Sequence, residues 1–444
     1  MSGKRVAVLG GGVSGCSSAL HLSKLGYCVS LFEMGRGCGG RASTRRTRSQ
    51  PNLIVNHGAP SFDVRTDRGF EIVKKLETKG FVKEYSGIRG ILSAENGFQK
   101  SPVEPGTHFV GCSPDGLGGM NGICEGLLAE SMYEENRISC HYRTMVHTLV
   151  PKLHEEQGNV NGWSLFDKNG LPVGGETQDQ DGSASSHFDW IVIAGSGLAH
   201  PRWKKTFGYD APLLSAISKL DHCSGYVDMK LKKSLKVIGE QDSKPCLVVM
   251  SYARGVPDTA SGVNVADQME KALPFDLAWV VEDDVVQKVS VQRNADGHGG
   301  IALCIHSTAA YAQNATTVFG KTSTAARIGG ASTSSEDESE QIKTVIEAFQ
   351  NLLYSSSNGE EFAKTVSFNS LEQYTWGPYL HRWGNCEPLN DPLAAEDAIA
   401  PLSRVAFCGD YVKTDARMGS VEAALLSGDL VSQQIYQTML DQTE

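Results

Sequence analysis

One stretch near the N-terminus constrains this chain more than any other. Arg5-Val-Ala-Val-Leu-Gly10 is apolar at successive positions, the pattern of a strand buried on both faces of a parallel sheet. It runs into Gly10-Gly11-Gly12-Val13-Ser14-Gly15, a match to G-x-G-x-x-G. Ala19, Leu20, Leu22 and Leu25 then recur at helical spacing, and Gly26 supplies the stop. A second strand, Cys28-Val-Ser-Leu-Phe32, ends in Glu33. Strand, glycine turn, helix, strand and terminal acid make one βαβ unit of the dinucleotide-binding kind. Gly10 permits the tight turn, Gly12 lets a pyrophosphate lie against the backbone, and Gly15 lets helix and strand pack closely. The phosphates then sit on the helix N-terminus at Val13 and Ser14, where free N–H groups and the dipole favour anions. Glu33 accepts hydrogen bonds from the ribose hydroxyls.

The rest of the 444 residues leaves room for about two or three domains in all. With 40% hydrophobic and 21% charged residues, a wholly disordered, collagenous or coiled-coil chain is excluded. A net charge of −10 argues against bulk nucleic-acid binding. The eleven cysteines are scattered, with no C-x-x-C pair and no metal-like cluster, so they read as free thiols in a reducing compartment and no metal is expected. No window approaches the ~18 apolar residues of a membrane helix. A strand beginning at residue 5 leaves no room for a leader, so the expectation is a soluble, cytoplasmic protein with no integral membrane segment.

After Glu33 the chain runs Met34-Gly-Arg36-Gly-Cys-Gly39-Gly40-Arg41, where a plain NAD domain would enter its next crossover helix. The glycines let backbone pass close over a ligand, and Arg41 meets a phosphate as a charged fork. This segment resembles the R-x-G-G-R that follows the acid in flavin amine oxidases and their relatives, which implies FAD, with Met34, Arg36, Gly40 and Arg41 among its contacts. Arg45, Arg46 and Arg48 beyond it read as a solvated basic loop. At the far end, Arg404-Val-Ala-Phe-Cys408-Gly409-Asp410 is another apolar strand, and Ser420-Val421-Glu422 opens a helix running past Gly428. Glutathione-reductase-like flavoproteins have a similar end. That resemblance implies that Gly409 and Asp410 hold the ribityl chain and that Ser420, Val421 and Glu422 point a helix N-terminus at the flavin ring. His187–Gly197 contains a third buried strand, and Arg143–Val146 resembles the short strand whose backbone, at Val146, meets adenine.

Further segments narrow the resemblance to renalase and the renalase-like oxidoreductases of the flavin amine oxidase superfamily. Asn56-His57-Gly58-Ala59 is similar to that family's D-H-G-A, His108 through Asn121 to its V-G-x-x-G-M-x, and His381-Arg382-Trp383 to its H-R-W. Leu277-Ala-Trp279 and Leu303–His306 resemble its substrate-domain strands. Two positions depart from the pattern: Pro60 stands where Gln is common, and Gly384 follows the H-R-W. The resemblance places Gly58, Ala59 and Pro60 at the cofactor, and His381 and Trp383 at the reacting centre.

The expected fold is α/β: a Rossmann-like, glutathione-reductase-type FAD-binding domain with an inserted α+β substrate domain on an antiparallel sheet. The FAD-binding domain is assigned to 1–75, 116–200 and 390–444, and the substrate domain to 76–115 and 201–389. Apolar segments Ser224–Leu231, Cys246–Ser251, Leu277–Val281 and Ile301–His306 supply strands, with helices at 212–220 and 340–354. Polar, glycine- or serine-rich stretches at 167–187 and 321–341 read as a long hairpin loop and a loop ending in a solvated acidic helix start. Tyr374, Trp376, Tyr379, His381, Trp383 and Tyr411 are candidate pocket walls. No G-x-S-x-G elbow is present. The function implied is hydride transfer from a reduced organic donor to FAD, with O2 as acceptor giving H2O2. Dihydro-NAD(P) isomers are the first donor candidates and an amine the second. A non-catalytic GDI- or Rab-escort-like binding module is the alternative of another class.

Overall fold

The computed structural model describes residues 3–442, leaving aside 103, 117, 132–137, 155–158, 175–176, 179–183, 186, 225–227, 256–263, 317, 321–322, 324–327, 329, 331–333 and 356–373. Parts of the 167–187 and 321–341 stretches thus lie outside the described residues.

Strand β1 (Arg5–Leu9) leads through the glycine turn into helix α1 (Val13–Lys24) and back to β2 (Cys28–Glu33). Both strands sit in the middle of a six-stranded sheet in the order Ile138–Tyr142, β2, β1, Trp190–Ala194, Val405–Cys408, Ile399–Ala400. All neighbours are parallel except the last pair. Val6, Ala7 and Val8 are fully buried, as are Ile191, Val192 and Ile193 beside them, which is why these strands are apolar without alternation.

Helix α1 lies on the C-terminal helix, Val421–Asp441, through small residues. A Cβ on Gly428 would fall 2.4 Å from the Ser14 carbonyl, and the Ser17 hydroxyl donates to the Leu425 carbonyl at 2.7 Å. Two helices that start near the ends of strands on either side of Trp190–Ala194 are thereby held side by side.

The second sheet has seven strands in the order Trp376–Pro388, Ser243–Ala253, Ile301–Ser307, Val286–Gln292, Leu277–Val280, Arg89–Ser93, Gly97–Lys100. Its pairs are antiparallel except Leu277–Val280 with Arg89–Ser93. The helix Ser335–Ser355 covers one face with Val345, Phe349 and Leu352. Its start is capped: the Asp337 amide donates to the Ser334 hydroxyl at 3.0 Å. On the other face Val248, Met250 and Cys304 pack on Leu53 and Val55, which descend from the first domain.

Two expectations give way here. Of Ser224–Leu231, residues 225–227 lie outside the described residues, and the rest is not strand: one helix ends at Ser224 and another spans Met229–Glu240. Asp228 caps the second, accepting from the Leu231 amide at 3.1 Å, and Leu231, Ser234 and Ile238 line its buried side. Arg143–Val146 is not a strand either. The strand is Ile138–Tyr142, and Arg143 ends it with φ 57°; its amide then donates to Gly35 O at 2.7 Å and that of Thr144 to Glu33 O at 3.0 Å.

Candidate functional site

The glycine loop sorts its residues by what each must avoid. A Cβ on Gly15 would lie 2.0 Å from the Gly10 carbonyl, and one on Gly10 2.5 Å from the Ala194 carbonyl. Packing alone demands those two. Gly12 differs: its φ is −76°, and an added Cβ would meet only the Gly40 Cα, at 3.9 Å. Nothing in the protein's own packing requires glycine there. Gly12 is also the N-cap of α1 and offers no side-chain acceptor, so the first-turn amides from Val13 to Gly15 carry no cap. A cradle of this kind suits an anion.

Glu33 stands at the adjacent strand end. Its two oxygens accept from the Gly11 amide at 2.8 Å and the Gly35 amide at 2.5 Å, while burial pushes its carboxyl above the usual range. Gly10, Glu33, Met34 and Val146 line one narrow cavity, closed by Leu198 and Trp203. The 143–146 segment lines this cavity as irregular backbone. A larger surface depression around Pro51, Arg254 and His298 lies apart from the glycine loop.

The loop beyond β2 folds back onto the glycine turn: the Gly39 amide donates to Gly11 O at 2.7 Å. Arg36 is exposed on this loop, and Gly40 sits over Gly12. Arg41 forks onto Asp410, with Nη1 to Oδ2 at 2.7 Å and Nη2 to Oδ1 at 2.5 Å, and Nη1 also donates to Cys386 O at 3.1 Å. The expectation gave these two side chains separately to a phosphate and a ribityl chain; the fold joins them to each other. The carboxylate of Glu422 is likewise taken. One of its oxygens, Oε1, accepts from the amides of Arg65 and Thr66 and from the Thr66 hydroxyl at 2.8–2.9 Å. Ser420 caps that helix by accepting from the Ala423 amide at 3.0 Å, with Val421 as its first residue.

Beneath Arg41 runs Gly58-Ala59-Pro60, with the Ala59 amide donating to the Arg41 carbonyl at 2.9 Å. An added Cβ at Gly58 would meet that same carbonyl at 2.0 Å and the Trp383 ring at 3.4 Å. Trp383 and His381 alternate along Trp376–Pro388 and share a face. His57 joins them: its ring stacks on Trp383 (centroids 5.2 Å, 27°) and meets His381 edge-on at 4.9 Å. Trp383 Nε1 donates to the His57 carbonyl at 3.1 Å, and His306 Nε2 lies 3.2 Å from the Gly58 carbonyl.

Burial holds all three imidazoles neutral. It drives His381 down to about 3 and His57 and His306 well below the usual value, with the Arg45 charge adding to the effect at His57 and His381. The Nδ1 atoms of His57, His306 and His381 and the Tyr411 hydroxyl are buried without a hydrogen-bond partner. Such orphaned atoms and the open Gly12 cradle fit a bound polar molecule.

His57 and His306 were missed as site residues, although both lie in segments that carried the resemblance; what was missing is the ring contact. Arg45 is a correction of another kind. It is part-buried, paired in the two-residue strand Thr44–Arg45 against Val55–Asn56, and its charge reaches the histidines, unlike a solvated loop residue. Tyr374 and Trp376 are buried in the two packing layers of the seven-stranded sheet, whereas Tyr379 is 39% exposed. A last correction concerns the thiols. Cys16, Cys38 and Cys124 are far apart in sequence, yet their sulfurs lie within 4.8 Å of one another.

Residues 8–76 match the family model of NAD(P)-binding Rossmann-like domains. Among solved structures, the chain is similar to putrescine oxidase bound to putrescine, with a TM-score of 0.53 at 12% identity over 98% of this chain and 99% of that one. It is equally similar to an oxidoreductase from Methanosarcina mazei, at a TM-score of 0.53 and 12% identity, over 97% and 100%. These likenesses show a shared fold: a mixed α/β protein with a Rossmann-like domain and a second domain on an antiparallel sheet. No helix among the described residues is long and apolar enough to cross a membrane.

Proposed function

We propose that this chain is an FAD-dependent oxidoreductase that takes a hydride from a reduced organic donor, with O2 as the electron acceptor giving H2O2. The observation that carries the reading is Gly12, a glycine that the fold itself does not need, at an uncapped helix start beside a half-buried acid. In this reading residues 1–75, 116–200 and 390–444 hold the cofactor, and 76–115 with 201–389 hold the donor. The Val13–Gly15 amides take the pyrophosphate, Glu33 the ribose, and the backbone at Val146 the adenine side. Arg36, Arg41, Asp410, Gly58–Pro60 and the helix start at Ser420–Glu422 flank the flavin end. FAD bound there supplies a two-electron acceptor.

The chain's own contribution is orientation and the exclusion of water. His57 and Trp383 give a flat, uncharged surface, and His381 closes its edge. An imidazole that protonates only near pH 3 donates or accepts a hydrogen bond as a neutral ring and does not act as an imidazolium acid at pH 7. Arg45 puts a positive charge near this wall. A flat wall beside the positive charge of Arg45 suits a planar dihydronicotinamide with an anionic tail, and that charge disfavours the approach of an ammonium. The donor proposed is therefore an isomer of dihydro-NAD(P). The shared fold of putrescine oxidase supports an amine as the second reading. The test is a donor panel mixed anaerobically with the FAD-loaded protein, following loss of the flavin absorbance. Bleaching by simple amines alone would reverse the order. A protein that binds no flavin would leave the non-catalytic binding module.

A further inference from the structure

We propose that Cys16, Cys38 and Cys124 form a three-thiolate site for one soft divalent d10 cation of the Zn(II) class. All three side chains are buried, and their sulfurs lie within 4.8 Å of one another. Cys16 is in the first turn of α1, Cys124 is in the first turn of helix α3 (Gly122–Ser131), and Cys38 sits on the loop that folds back over the glycine turn. Sulfur-only ligand sets select thiophilic cations over hard ones.

Binding is balanced as one M(II) displacing the three thiol protons, to give M(SR)3 with one net negative charge. The bond set would pin α1, α3 and the 34–40 loop together next to Gly39, whose amide holds Gly11. The site stands on residues that the flavin reading does not use, so either can fail alone.

The test uses the reduced, chelator-treated full chain titrated with Cd(II), whose bonds to sulfur give an ultraviolet charge-transfer band. The band is expected to rise linearly to one equivalent, with release of about three protons per chain at pH 7. Cys38→Ser is expected to remove roughly a third or more of the band and to weaken binding about tenfold or more. Cys16→Ser and Cys124→Ser should do the same wherever circular dichroism shows them folded. Cys28→Ser and Cys140→Ser, at exposed cysteines, should leave the band intact. Cys38 lies on a loop, so Cys38→Ser decides the outcome if the helix variants unfold. A full band in Cys38→Ser, no sulfur band at one equivalent, or a band lost with Cys28 or Cys140 instead would overturn the proposal.

Discussion

Gly12→Ala separates what the fold needs from what a ligand needs. The backbone at Gly12 is at φ −76° and ψ −179°, which alanine adopts freely, and the new methyl would meet only the Gly40 Cα at 3.9 Å. Alanine is a poorer N-cap than glycine by up to about 1 kcal/mol, and it lowers the entropy of the unfolded chain by a similar ~0.4–1 kcal/mol. These terms oppose each other, so the stability change should stay within about 1 kcal/mol, a Tm shift of no more than ~4 °C. The methyl does, however, project into the cradle where a pyrophosphate would receive the Val13–Gly15 amides. Losing one or two such bonds costs about 1–3 kcal/mol, which is roughly a five- to 150-fold rise in Kd for FAD. The assay is a thermal melt of the flavin-free protein, paired with titration of FAD followed by quenching of flavin fluorescence. Gly15→Ala is the control: its methyl would lie 2.0 Å from the Gly10 carbonyl, so it should lose the fold itself. An unchanged Kd in a stable Gly12→Ala protein would refute the reasoning, because the cradle would then have no ligand to protect.

Three further outcomes are expected. In a double-mutant cycle, Arg41→Gln and Asp410→Asn should couple by about 1–2 kcal/mol, the guanidinium being part-exposed; strictly additive melts would make the fork incidental. Glu422→Ala should cost about 1–3 kcal/mol by stranding the amides of Arg65 and Thr66, and a variant as stable as the parent would contradict that tie. His381 remains neutral in the fold down to about pH 3, whereas the unfolded chain takes up its proton near 6.5. The unfolded state therefore binds more protons between those values, and stability present above pH 6.5 is lost as pH falls, by up to about 1.4 kcal/mol per pH unit from this residue. His381→Gln should flatten urea-midpoint profiles across that window; profiles that run parallel would show that the imidazole is not held neutral.

What could be read from the residues alone was what is local. Glu33 and the glycine turn belong to one continuous βαβ unit, whose parts have fixed spacing and separate physical jobs. The seven-stranded sheet was legible at Cys246–Ser251 and Ile301–His306, where runs long enough for a strand carry no helical period. The strand expected at Ser224–Leu231 fails at Met229–Leu231, where Asp228 as a cap was the deciding signal for a helix. The functional pairings were out of reach for a different reason. Arg41 and Asp410 are 369 residues apart, Glu422 and Arg65 357, and Trp383 and His57 326. Arg41 and Asp410, and His57 and Trp383, stand in separate motifs and Arg65 in none, and motif order says which segments meet and not which atoms. So the tie of the Glu422 carboxylate to the start of helix α2 (Asp67–Thr78) was out of reach, and Arg45 passed as solvated. The convergence of Cys16, Cys38 and Cys124 had no sequence signature, because two helix starts and a loop supply one sulfur each.

The central claim is that the glycine cradle and the His57–Trp383 wall serve hydride transfer from a dihydronicotinamide to FAD. Anaerobic stopped-flow mixing of the FAD-loaded protein with 2- or 6-dihydro-NAD(P) tests it most directly. The account predicts rapid single-turnover loss of the flavin absorbance, with NAD(P)+ formed in equal amount and the colour restored on admitting O2. An FAD-loaded protein that keeps its absorbance with both isomers, yet bleaches with a primary amine at a rate rising with pH, would contradict it.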